Sequence, residues 1–104
     1  MTPEQETKIL ASAINTFGIN AQLDILMEEC AELIQAICKY KRGAPTPAGT
    51  LILWDRMHEE MADVEIMIDQ ARVYTGDADI NVHREHKLKR LEERIAQRRA
   101  GKDG

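Results

Sequence analysis

Glycine and proline interrupt the interior of this chain at three points, and the long stretches between them have the length and period of helices. The first stretch opens with Thr2 as the predicted N-cap and Pro3 as the first helical residue, and it stops at Gly18. No segment shows the alternating pattern of a strand. The sequence therefore predicts an all-α chain, with helices at 3–17, 21–42, 51–74 and 80–99.

The remaining helix ends follow from capping residues. Asn20 is the predicted cap of the second helix, the proline-rich segment 43–49 is read as a stiff loop, and Thr50 is the predicted cap of the third helix. Asp77 or Asp79 opens the fourth helix, and the tail from about 97 to 104 is expected to fray. We expect one domain, residues 1–104, with a four-helix bundle-like fold completed by oligomerisation.

Composition excludes several classes of protein. Charged residues make up 31% of the 104 residues and aromatic residues 4%, which is typical of helical bundles. The N-terminus has no signal-peptide pattern, and no stretch has the roughly 18 apolar residues of a membrane span. Cys30 and Cys38 are eight positions apart on one predicted helix, or about 12 Å, too far for a disulfide. These features predict a cytoplasmic protein without a membrane partner.

The charge is unevenly distributed. The formal net charge is −4, yet residues 83–102 contain eight Lys or Arg and three Glu, which gives +5 for that segment and −9 for the rest. The chain thus combines an acidic body with a basic terminal helix. Its acidic total argues against non-specific binding to nucleic acid.

Acidic residues three positions apart occur on two helices that should pack together. Glu29 and Glu32 lie at or just beyond the edge of the apolar arc of the second helix, whereas Glu60 lies inside the arc of the third and Asp63 at its edge. Glu32 is 11 residues before Gly43 and Glu60 is 11 after Gly49, so an antiparallel pairing places both pairs at the same height. Four such carboxylates would repel one another unless a cation neutralised them, and all-oxygen ligation suits Mg²⁺ or Mn²⁺.

The order of these acids resembles the EExxE…ExxD motif of the MazG-like, all-α nucleoside triphosphate pyrophosphohydrolases. "LMEECAEL" supplies the first part and "EEMADV" the second. The resemblance implies Mg²⁺-dependent hydrolysis of a nucleoside triphosphate to its monophosphate and pyrophosphate by a homodimer or homotetramer, with a role in removing non-standard or excess nucleotides. It also implies metal ligands and a further group that acts as an outer ligand or a base. By position, the ligands are Glu29, Glu32, Glu60 and Asp63, the further group is Glu28, and Glu28 and Glu29 are the candidate catalytic residues.

A triphosphate also needs cations. The candidates are Lys39 on the second helix and, on the fourth, Arg84 and Lys87. A salt bridge to a neighbouring acid is an alternative role for each of them. Tyr40 and Trp54 are candidates for stacking on a base, with core packing the favoured role.

Two other readings compete with the enzyme. A di-iron bundle needs a Glu-x-x-His motif, which the sequence lacks, and His83 with His86 lacks the spacing of known zinc motifs. A non-catalytic interaction module is the stronger alternative, because the fourth helix carries Leu88, Leu91 and Ile95 on one face and could pair with a partner helix.

Overall fold

A computed structural model describes residues 1–103 of the chain. These residues form α1 (Pro3–Phe17), α2 (Ile19–Arg42), α3 (Pro47–Thr75) and α4 (Ala78–Asp103), and the described part contains no strand. The predicted all-α class is confirmed. The predicted capping box is also present: the Thr2 hydroxyl accepts from the Gln5 backbone N–H at 3.1 Å, and the Gln5 side chain accepts from the Thr2 backbone N–H at 2.8 Å.

The start of α2 was predicted wrongly. The helix begins at Ile19 instead of following an Asn20 cap, and Gly18 separates it from α1 without any side-chain cap. Gly18 has φ +87°, a backbone conformation that residues with a Cβ rarely adopt, so one glycine ends α1 and starts α2. The connection is consequently a sharp corner of 111° between the two helices.

The start of α3 was also predicted wrongly, since the helix begins four residues before the expected position. Thr46 is the N-cap instead of Thr50: its side-chain oxygen accepts from the Gly49 backbone N–H at 3.0 Å. Pro47 occupies the first turn, where its missing N–H costs nothing. The loop is therefore only residues 43–46, and it turns α3 back along α2. At the other end of the chain, α4 continues four residues past its predicted end at Arg99.

The α2–α3 hairpin is the main packing unit. Tyr40 contacts Trp54 near the loop, with ring centroids 4.7 Å apart, and Glu29 lies near Asp63 farther away, so the helices are antiparallel as predicted. α1 packs on both helices of the hairpin. α4 turns away at Gly76 (φ +87°) and packs extensively against none of the other helices, and residues 81–101 are all exposed.

The core of this hairpin is thin. Among the described residues, the buried apolar side chains are Ala36, Met57 and Met67, and no side chain is below 2% exposure. The stripe of α2 that contacts α3 runs through Leu26, Glu29, Leu33, Ala36 and Tyr40. Other apolar residues of α2 lie outside this stripe and are exposed, including Met27 at 70% and Ile34 at 61%.

No single described helix is both long and apolar enough to cross a bilayer. Only α1 and α2 taken together meet the criteria of length and composition, and the bend at Gly18 separates them.

Candidate metal centre

Three carboxylates from the two hairpin helices converge at mid-height. Glu29 of α2 and Glu60 and Asp63 of α3 each offer an oxygen atom, and these oxygens lie within 4.8 Å of one another. Two oxygens bound to one Mg²⁺ are at most about 4.2 Å apart. The three oxygens are therefore near one another but would have to move closer together to bind one ion.

The environment of this triad is only partly aqueous. Glu29 and Glu60 are half-buried between the helices, whereas Asp63 is exposed. The Oε2 atoms of Glu29 and Glu60 are buried and have no hydrogen-bond partner. A buried carboxylate oxygen without a partner is costly, and a bound cation would satisfy it. The donor set consists of oxygen atoms, which fits Mg²⁺ or Mn²⁺ better than Zn²⁺.

The pKa values of the two half-buried acids respond to this crowding. Burial between the helices is the main cause that raises the pKa of Glu29 above its ordinary value, and repulsion from Glu32 and Asp63 adds to it. Burial likewise raises the pKa of Glu60, with repulsion from Glu32 as the next cause. Both carboxyl groups are therefore harder to ionise in the protein without metal. A bound divalent cation would lower the free-energy cost of their ionised forms.

Glu32 and Glu28 lie outside the triad. Glu32 is exposed, yet it is close enough to Glu29 and Glu60 to raise the pKa of both by repulsion and by hydrogen bonding to their protonated forms. Glu28 is exposed one turn before Glu32, on the same side of α2. The structure thus brings the four predicted ligands together, three of them as a close group and Glu32 beside it, whereas Glu28 lines neither the triad nor the cleft next to it.

A cleft of about 270 Å³ adjoins the triad. It contains Lys39, as the sequence predicted, and two polar residues that the sequence reasoning missed, Gln35 and Arg56. Arg56 lies one turn before Glu60 on α3, and Gln35 follows Glu32 by three positions on α2, so helical spacing from the acids could have identified both. Neither Lys39 nor Arg56 forms an ion pair among the described residues.

Glu59 also lines this cleft. It lies at the rim, since it borders the outer surface near Asp55 as well. Its charge contributes to the raised pKa of Glu60. Glu59 is therefore a poor choice as a neutral control for this site.

The two cations predicted on the fourth helix lie elsewhere. Arg84 and Lys87 line a groove with Ile68 and Arg72, beside the turn between α3 and α4, and not the cleft next to the acids. Arg72 itself donates to Asn81 Oδ1 at 2.7 Å and contacts Asp77 at 3.4 Å. Within one chain, Arg84 and Lys87 do not join the acid cluster.

The other predicted candidates also separate from the triad. Tyr40 and Trp54 contact each other at 4.7 Å with their rings tilted by 50°, and Trp54 stacks loosely on His58 at 5.8 Å. Tyr40 is half-buried, whereas Trp54 is 38% exposed, so the pair packs at the edge of the hairpin and not in its core. Within the part of the chain that the structure describes, the acid triad is the one cluster of potential metal ligands, and it includes neither His83 nor His86.

No protein-family model matches this chain, and no curated protein or solved structure matches it either.

Proposed function

We propose that this protein is a Mg²⁺-dependent nucleoside triphosphate pyrophosphohydrolase of the MazG-like type. The observation that supports this proposal best is the triad of Glu29, Glu60 and Asp63, in which two buried carboxylate oxygens have no partner. The motif resemblance supplies the reaction: water hydrolyses the α–β phosphoanhydride bond, which gives the monophosphate and pyrophosphate. Mn²⁺ is the expected substitute ion.

In this proposal the acids have separate tasks. Glu29, Glu60 and Asp63 would hold the ion, with Glu32 as a fourth carboxylate beside them. When bound, the ion offsets the negative charge of the phosphates and makes a bound water more acidic. Glu28, which is exposed one turn before Glu32, accepts the proton that the attacking water gives up.

The cleft beside the triad suits the triphosphate. Lys39 supplies a positive charge about two helical turns from the acids of α2, and Arg56 supplies one about one turn from the acids of α3. A planar guanidinium can bind two phosphate oxygens at once, and a lysine acts as a point charge. Phosphoryl transfer depends mainly on positioning and charge neutralisation. These two cations and the acids thus provide the groups that the reaction needs.

Turnover of a panel of ribo- and deoxynucleoside triphosphates with Mg²⁺, followed by phosphorus NMR, tests the proposal. The wild type should release monophosphate and pyrophosphate, and Glu60→Gln should abolish this turnover. The matched control is Asp55→Asn, a change of the same kind on the outer surface of α3, which should leave turnover unchanged. Glu28→Gln should lower turnover without altering the shift in melting temperature that Mg²⁺ causes. Diphosphate and phosphate as products would refute the proposed cleavage position.

The alternative is a non-catalytic interaction module, which the exposure of α4 favours. Such a protein would turn over none of the nucleotides. Mg²⁺ would not shift the melting temperature of the wild type, and Glu60→Gln would therefore have no such shift to remove. A Mg²⁺-dependent rise in melting temperature that Glu60→Gln removes would exclude it. The cytoplasmic location and the homodimer or homotetramer that the resemblance implies are further predictions of this proposal.

A further inference from the structure

The groove beside the turn between α3 and α4 combines apolar and basic side chains. It has a volume of about 540 Å³, and we call it the α4 groove. Its lining includes the apolar residues Ile68, Leu88 and Leu91 and the cationic residues Arg72, Arg84 and Lys87. No carboxylate of the described residues lines it. The α4 groove therefore has the chemistry of a site for a partner that is both apolar and negatively charged.

Two of these cations are not neutralised within the chain. Arg72 contacts Asp77 at 3.4 Å, whereas Arg84 and Lys87 form no ion pair among the residues that the structure describes. An anionic group that enters the groove would thus meet two cations without displacing an existing partner. Hydrogen bonds between ionised groups are the stronger kind.

The side of α4 that borders the groove continues beyond it. By helical spacing, Ile95 and Arg98 follow Leu91 on this side, and Arg94 lies at its edge. From Arg84 to Arg98 the surface extends about 21 Å along the helix. It is exposed throughout, and the three glutamates of the segment lie about a quarter turn or more away around the helix: Glu85, Glu92 and Glu93. The groove thus opens onto a long, narrow surface with apolar residues at its centre and cations beside them.

The shape and charge of this surface select the class of partner. A bilayer is flat and would not fill a groove that α3 borders on one side, and α4 has neither the Trp nor the Phe typical of interfacial helices. A nucleic-acid backbone would place phosphates against the apolar centre. A second α4 would bring like charges together. A helix with apolar residues every three or four positions and acids beside them fills the groove and pairs with its cations.

We infer that the α4 groove binds an acidic amphipathic helix of another protein. The groove shares no lining residue with the cleft beside the acid triad. The inference therefore does not depend on the proposed enzymatic activity. Glu60→Gln, which should abolish turnover, should bind the acidic helix as the wild type does.

Titration calorimetry of the full chain with a synthetic peptide tests the inference. The peptide is a helix of about three heptads with Leu at positions a and d and Glu at e and g, and repulsion between its glutamates opposes self-pairing. One peptide should bind per chain, at least about tenfold more tightly than the same peptide with Gln in place of Glu, which corresponds to 1.4 kcal/mol. Binding should weaken as salt is added, because salt screens exposed charges.

Variants of α4 locate the binding site. Leu91→Ala and Arg84→Gln should each raise the dissociation constant about tenfold, which corresponds to 1.4 kcal/mol. The matched controls are Val82→Ala and Lys89→Gln, on the other side of α4 and outside the groove, which should leave the dissociation constant unchanged. All four residues are exposed, so helical content measured by circular dichroism should be the same in every variant.

Several results would overturn the inference. Equal affinity for the Glu and Gln peptides, or no binding of either, would remove the charge argument. Control variants that weaken binding as much as the groove variants would place the site elsewhere. Tighter binding to vesicles that contain phosphatidylserine, or to a short DNA duplex, would assign the surface to a membrane or to nucleic acid. Peptide affinity that falls as the protein concentration rises would show that a second copy of this chain covers the groove instead.

Discussion

Met57→Ala tests whether the thin hairpin core sets the geometry of the acid triad. Met57 is 6% exposed between α2 and α3 and lies one turn before Glu60. Replacing a buried methionine by alanine removes its transfer free energy and leaves a cavity, which together cost about 2–5 kcal/mol. For a chain of this length each kcal/mol lowers the melting temperature by about 4 °C or more. We therefore expect a fall of about 8 °C or more.

Thermal unfolding followed by circular dichroism measures this change, with Ile52→Ala as the exposed control. A surface truncation of that kind should change the free energy of unfolding by less than about 0.5 kcal/mol. Met57→Leu, which nearly conserves volume, should lie between the two. Because Met57 packs next to Glu60, the alanine variant should also bind Mg²⁺ more weakly, as measured by titration calorimetry. A Met57→Ala shift no larger than that of Ile52→Ala would refute the assignment of Met57 to the core.

Three further predictions concern the site. Without metal at neutral pH, wild type should melt below Glu60→Gln, because burial and repulsion raise the pKa of Glu60 and penalise its ionised form. This difference in melting temperature should close as the pH falls through the raised pKa of Glu60 towards the ordinary value of 4.5, because the folded chain binds the proton first. A difference that widens on acidification would contradict the placement of Glu60 among the crowded acids. With saturating Mg²⁺ the wild type should instead lose stability on acidification, because protons compete with the ion. Arg56→Ala should raise KM for the triphosphate about tenfold, because it removes a charged hydrogen bond of about 1.5 kcal/mol or more. The effect on kcat should be smaller. An unchanged KM would exclude Arg56 from the substrate site.

The sequence predicted the number and order of the helices because helix-stopping glycines and proline-rich turns are local signals. It failed at the start of α3, where Thr46 followed by Pro47 is itself a capping pattern. The expected loop was simply too long. Only α3 is longer than predicted at the loop, since α2 ends at Arg42 as expected, and the acids of the two helices still meet.

The position of Glu29 shows what a helical wheel omits. The apolar arc of α2 predicted Glu29 at its edge, yet Glu29 lies in the middle of the stripe that contacts α3. A wheel gives the width of an apolar arc but not which part of it faces a given neighbour. The placement of Arg84 and Lys87 was out of reach for a similar reason, because it depends on the direction in which α4 leaves Gly76.

The exposed apolar residues of α2 and the crowded acids affect the stability of the isolated chain in the same direction. The hairpin buries few apolar side chains, and two of its half-buried groups are carboxylates without partners. Both features reduce the stability of the isolated chain, and each is offset by something that binds only the folded state. An ion at the triad would relieve the repulsion on one side of the hairpin, and a second copy, in the homodimer that the resemblance implies, would cover the apolar surface on the other. Because these two sites are on opposite sides of the same two helices, stabilisation by the dimer should make the triad more rigid, and the affinity for Mg²⁺ should then rise with protein concentration.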